Sequence, residues 1–177
     1  MNVLVTYWSQ TGNTRKIAEA IFRSLVCDKT LKPFKEVETL DEFDLIFIGY
    51  PIMQFGPPPV ARKFITLAED KNVALFITHA TVSNSSDPSQ QAMLAKELDK
   101  CIAICAHTKL LGMYHCQGEL SEKISEELNN SGIPMLMSFA AMRPSTLGHP
   151  NPEEIKLAAE FAMKTIENIA PCQGHTP

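Results

Sequence analysis

The chain has 177 residues, 45% of them hydrophobic and 20% charged, with a formal net charge of −4. That length suits one domain with a sizeable core and falls short of the usual two, and the apolar content excludes a disordered chain. The charge is mildly acidic and no Lys/Arg block stands out, which argues against a nucleic-acid partner.

The first apolar run, Asn2-Val3-Leu4-Val5-Thr6-Tyr7, predicts a strand over Val3–Tyr7. It begins too close to Met1 for a basic segment, an apolar core and a cleavage site, so no leader is expected. No apolar run approaches the roughly 20 residues of a membrane helix. The cysteines are Cys27, Cys101, Cys105, Cys116 and Cys172. Their odd number and the lack of a CxxC pair argue for free, packed thiols rather than a disulfide framework or zinc site. A reduced, cytoplasmic protein without membrane segments is expected. Oligomeric state is not encoded in any of these features.

A helix follows the first strand at once, with Ile17, Ile21 and Leu25 four apart and Arg15, Lys16, Glu19 and Arg23 free to face water. The alternating stretch "FKEVETL" at 34–40 predicts an edge strand. Asp44–Tyr50 and Asn72–Thr78 carry the nearly continuous apolar runs "LIFIGY" and "VALFIT", the pattern of strands buried on both faces. Between them "PPPVARKFITLAED" opens with prolines that suit a first helical turn. Asp87-Pro88-Ser89-Gln90 supplies a cap, a first-turn proline and a glutamine at the third position, close to a capping box. Lys109–His115 is the last strand. Residues 118–150 form an excursion holding one helix, "SEKISEELNN", and the Met-rich stretch "IPMLMSFAAMRPSTLGHPN". There Met135, Met137, Phe139 and Met142 form either a soft docking patch or a run buried across the sheet. Asn151-Pro152-Glu153-Glu154 repeats the capping device before the last helix. Strand and helix alternate throughout, which predicts an α/β fold, a parallel sheet with helices on both faces. A single domain over 1–170 with a tail at 171–177 is expected.

"WSQTGNT", residues 8–14, joins the first strand to the first helix. In an open parallel sheet ligands bind beyond the carboxyl ends of the strands. A loop bending straight into a helix presents backbone N–H groups and the positive end of the helix dipole. Ser9, Thr11 and Thr14 add hydroxyls, Gln10 and Asn13 add amides, and Gly12 permits a conformation that a Cβ would penalise. With no lysine the loop is not GxxxxGK[ST], and it is not GxGxxG. A compact phosphate held by neutral donors fits it, and so does a capped helix start with no ligand.

"TYWSQTGNTRKIAEAI" resembles the phosphate-binding loop of the flavodoxin family, Ser/Thr-x-Thr-Gly-x-Thr, which Ser9, Thr11, Gly12 and Thr14 match. The resemblance runs along most of the chain. It implies a flavodoxin-like doubly wound five-stranded sheet of order 2-1-3-4-5, non-covalent FMN, and one- or two-electron transfer. "IGYPIMQFGPPP" then sits where the family's second flavin loop leaves the third strand. Pro51, Ile52, Met53 and Phe55 can give an apolar wall, and Gln54 and the backbone around Gly56 polar contacts. By analogy alone, Gly56 is a point where a peptide can reorient. "THATVSNSSDP" stands at the third loop, with Thr78 and His79 as candidate ring contacts. It departs from the family in lacking the stacking tyrosine and acidic neighbours, which implies a less negative potential for full reduction. His79 is equally readable as a satisfied loop histidine, and Cys116 as a packing thiol. His115 and Cys116, adjacent on a strand, point to opposite faces and make no catalytic dyad.

The resulting expectation is an FMN protein carrying electrons between a reductase and an acceptor enzyme. The alternatives are an NAD(P)H-dependent FMN or quinone reductase of the same fold, and a flavin-free interaction module.

Overall fold

A computed structural model describes residues 1–82 and 87–169. Five strands form one parallel sheet: β1 (Asn2–Tyr7), β2 (Asp28–Pro33), β3 (Leu45–Pro51), β4 (Asn72–His79) and β5 (Lys109–Gln117). Their spatial order is β2-β1-β3-β4-β5, the flavodoxin-like order. Each parallel connection needs a crossover. Helices make three of the four, α1 (Asn13–Ser24), α2 (Pro59–Ile65) and α3 (Pro88–Ala103), while the connection from β2 to β3 holds only a 3-10 turn. After β5 come α4 (Glu122–Asn129), α5 (Pro134–Ala141) and the last helix, α6 (Pro152–Ile169).

The period-two alternation of the strands sorts the core into two layers. Val3, Val5, Leu45, Phe47, Ala74 and Phe76 face α1 and α6, which supply Ile17, Ile21, Ala158 and Ala162. Leu4, Ile46, Ile48, Tyr50, Leu75 and Ile77 face the other way, toward Phe64 and Ile65 of α2 and Cys101 of α3. The central strands are therefore apolar on both faces, as their sequences imply. Gly49 has a steric reason: a Cβ there would lie 1.9 Å from the Phe76 ring.

The edge strand differs from expectation. It is Asp28–Pro33, paired with β1 from Asn2↔Asp28 to Tyr7↔Pro33, and residues Phe34–Glu36 form a 3-10 turn. The polar sequence DKTLKP carries no apolar alternation, yet it needs only one hydrogen-bonded neighbour. Phe34 is drawn out of any strand because its ring stacks on Phe64, centroids 4.2 Å apart, and is buried there.

The two expected caps form. Asp87 accepts from Ser89 N at 2.8 Å. At α6 the box is reciprocal: Glu154 N donates to Asn151 Oδ1 at 3.0 Å, and Asn151 N donates to Glu154 Oε2 at 2.7 Å. Cys27, Cys101, Cys105 and Cys116 are free, and burial pushes the Cys101 and Cys105 thiols up to about 11. Cys172 and the tail at 171–177 lie outside the described residues. Among the described residues no helix is long and apolar enough to cross a membrane.

Candidate functional site

A cavity of about 500 Å³ opens at the carboxyl end of the sheet. Its floor comes from the turns after β1 and β3, the two strands that flank the reversal of strand order. Such a volume is in the range that cofactor sites occupy. Gln10, Thr11 and Asn13 line it from the first turn, Pro51 to Phe55 from the second, and Thr78 to Thr81 from the end of β4. Ser9, Gly12, Thr14 and Gly56 stand behind these walls and shape them.

The first turn is built by its own side chains. Gly12 has φ +96°, a conformation that L side chains rarely adopt, and caps α1. Ser9 Oγ accepts from Gly12 N at 3.1 Å, while Lys16 N donates to Gly12 O at 3.0 Å. Thr14 is buried, and its hydroxyl lies 2.8 Å from that of Thr78, tying α1 to β4. Asn13 Nδ2 donates to Glu119 O at 2.9 Å. Gly118 makes that approach possible, because a Cβ there would stand 2.8 Å from Asn13 Nδ2. The exposed Gln10 and Thr11 side chains and the α1 N-terminus are thus the groups this turn turns toward the cavity.

The second turn is a tight reversal. Met53 N donates to Gly56 O at 2.9 Å, and Gly56 N returns to Met53 O at 3.1 Å. Gln54 and Phe55 between them have φ of 48° and 63°, a type I′ geometry in which two residues with side chains adopt the left-handed region. The left-handed conformations thus fall on Gln54 and Phe55, while Gly56 is buried and closes the reversal. Lys100 Nζ on α3 holds Phe55 O at 2.8 Å, and Arg62 Nε on α2 holds Pro57 O at 3.0 Å. Backbone strain held in place this way concentrates at ligand sites.

His79 is 4% exposed. Its Nδ1 is 3.0 Å from Thr81 O, and its Nε2 is 3.1 Å from His115 Nδ1. A carbonyl only accepts, so His79 Nδ1 carries the proton, and His79 Nε2 accepts from His115 Nδ1–H. A donor at Nδ1 and an acceptor at Nε2 leave the His79 ring neutral. Burial, reinforced by His115, pushes His79 down to about 3, and burial lowers His115 too. The ring of His79 lines the cavity while its nitrogens brace the turn after β4. Adjacent positions on β5 turn His115 and Cys116 to opposite faces, and the pairing of β4 with β5 sets His115 opposite Ile77, within reach of His79.

The rest of the wall is absent from a reading of the three loops. Gly118 and Leu120 after β5, Ile124 and Leu128 of α4, and Leu136 and Phe139 of α5 form an apolar side. Ile133 and Met135 line the cavity while remaining 49% and 58% exposed, and Met137, two residues further along α5, is 42% exposed outside the cavity wall. The Met-rich stretch is therefore a rim and not a layer across the sheet. Glu97 of α3 and Glu119 add two carboxyl groups, so the acidity missing from the third loop enters from elsewhere. No lysine or arginine lines the cavity among the described residues. An amphipathic reading of α4 and the exposed methionines were the available signals for this wall.

A flavodoxin-domain family model matches residues 4–163. The chain belongs to the flavodoxin-domain family. FMN is the cofactor of flavodoxins, and the neutral donors beside the α1 N-terminus, the apolar second turn and the cavity volume fit it. The chain is 27% identical over 174 residues to the flavodoxin-like domain-containing protein BilS of Clostridioides difficile (strain CD3), covering 92% of this chain and 94% of that one. Its fold is similar to oxidised Flavodoxin 2 of Bacillus cereus, with TM-score 0.55 and 18% identity over 95% of this chain and 99% of that one. It is equally similar to an azoreductase of Bacillus anthracis str. Sterne, with TM-score 0.55 and 12% identity over 93% of this chain and 100% of that one. A fold shared by a flavodoxin and an azoreductase does not separate carriage of electrons from reduction of a substrate.

Proposed function

We propose that this flavodoxin domain carries FMN and passes electrons between a reductase and an acceptor enzyme. The observation that carries the reading is the rim of the cavity: Ile133 and Met135 stay about half-exposed where a cofactor held by the three turns would come to the surface. Exposed apolar residues grouped at a site mark a protein contact, and flexible methionines suit more than one partner. When bound, FMN supplies one- or two-electron transfer. Gln10, Thr11 and the α1 N-terminus hold the phosphate with uncharged donors, helped by the geometry that Ser9, Gly12 and Thr14 impose. Asn13 fastens the turn to Glu119. Pro51, Ile52, Met53 and Phe55 wall the ring, Gln54 and Gly56 shape the reversal, and Thr78 and His79 bound its far side. A reduced, cytoplasmic setting belongs to the same reading, in keeping with the free thiols.

A second reading, an NAD(P)H-dependent FMN or quinone reductase, draws on the apolar wall of Leu120, Ile124, Leu128 and Phe139, which extends the cavity beyond the three turns. One experiment separates them. The FMN-loaded protein is mixed with NADPH and a quinone, and absorbance at about 450 nm is followed. No bleaching until a reductase is added supports the carrier, and direct bleaching supports the reductase. A protein that stays colourless after incubation with FMN supports the flavin-free module.

A further inference from the structure

Glu97 sits in the middle of α3, is 4% exposed and lines the cavity. Buried carboxyl groups are ordinarily paired or hydrogen-bonded, because an unmatched one costs its full desolvation. Glu97 has no hydrogen-bond or ion-pair partner among the described residues. Lys100, one turn further along α3, is the nearest cation in charge terms, but its Nζ is committed to Phe55 O at 2.8 Å. Burial consequently raises the Glu97 carboxyl above its ordinary range, with Lys100 opposing only in part. A helix that needed only packing here would carry an apolar residue, as Leu94 and Cys101 do on the same buried side.

The Glu97 oxygens open onto the cavity, and an ionised carboxylate can only accept, so in the loaded site its partner is a donor on the occupant of the cavity. The oxidised isoalloxazine ring has one N–H group, the imide at N3. We propose that Glu97 is a cofactor-binding residue whose carboxylate accepts the hydrogen bond of the flavin N3–H. The inference rests on the FMN reading above. It assigns to α3, outside the three flavin turns, the contact that orients the pyrimidine edge. It also gives a use to a buried carboxyl that makes no hydrogen bond within the described residues.

The test titrates FMN and 3-methyl-FMN into apoprotein of the wild type, Glu97→Gln and Glu97→Leu, following flavin fluorescence, with urea unfolding of each apoprotein alongside. A charged hydrogen bond of this kind corresponds to about 10- to 100-fold in affinity. Glu97→Leu is expected to lose that factor for FMN, and Glu97→Gln a smaller one, because its amide oxygen still accepts. The wild type is expected to lose a similar factor on changing FMN to 3-methyl-FMN, with no further loss in Glu97→Leu. The Glu97→Leu apoprotein is expected to unfold at an equal or higher urea midpoint, which separates a ligand contact from a structural role. Unchanged FMN affinity in Glu97→Leu overturns the inference, as do losses from variant and analogue that multiply, which would place the donor on the ribityl chain or elsewhere. Failure of the wild type to bind FMN removes the flavin reading itself, an outcome visible in the control.

Discussion

His79 makes the acid stability of this protein a test of its hydrogen-bond assignment. The ring is neutral in the fold, with a folded value of about 3 against an ordinary 6.5. Above pH 6.5 neither folded nor unfolded chain holds the extra proton, and the contribution to stability is fully present. As pH falls through 6.5 the unfolded chain binds a proton that the fold refuses, so stability declines until about pH 3. Between pH 7 and pH 5 the single group accounts for a loss of about 2 kcal/mol. Glutamine can donate to Thr81 O and accept from His115 Nδ1 without titrating. Urea unfolding of wild type and His79→Gln at both pH values reads the difference. The variant should lose about 2 kcal/mol less on acidification, roughly 1 M in midpoint for a domain of this size. His115, lowered in the same direction, contributes in both proteins. Identical pH dependence of the two would refute the neutral, doubly bonded ring.

Two further substitutions probe the frame of the site. Gly49→Ala places a Cβ 1.9 Å from the fully buried Phe76 ring, and overpacking of that severity should cost at least about 3 kcal/mol by denaturant unfolding. Adding Phe76→Leu should restore part of it, since the two changes share one space. At Gly12 a Cβ meets nothing within 4 Å, so the φ of +96° is the whole penalty. Gly12→Ala should cost about 1–3 kcal/mol of apoprotein stability, or lose FMN affinity if the turn relaxes instead. Gly12→Asn, which tolerates left-handed backbone better, should do less of either in the same urea and flavin titrations.

Local chemistry determined most of the architecture. Apolar runs such as "LIFIGY" and "VALFIT" specify buried parallel strands, because a segment covered on both faces must be apolar on both. Asp87 and Asn151 specify helix starts, because a capping oxygen acts within its own turn. The turn at Ser9–Thr14 was legible for the same reason, since glycine and short polar side chains act on backbone a few residues away. What depended on distant partners was not legible. β2 is strand by virtue of β1, and Phe34 leaves the strand for Phe64. Asn13 reaches Glu119, and His79 meets His115 only because β4 and β5 lie side by side. The α4–α5 wall and Glu97 approach the cavity from elements that share no periodicity with the loops they face. Hydrogen bonds and packing across tens of residues leave no local pattern, so the tertiary structure decided which side chains close the cavity beyond the three turns.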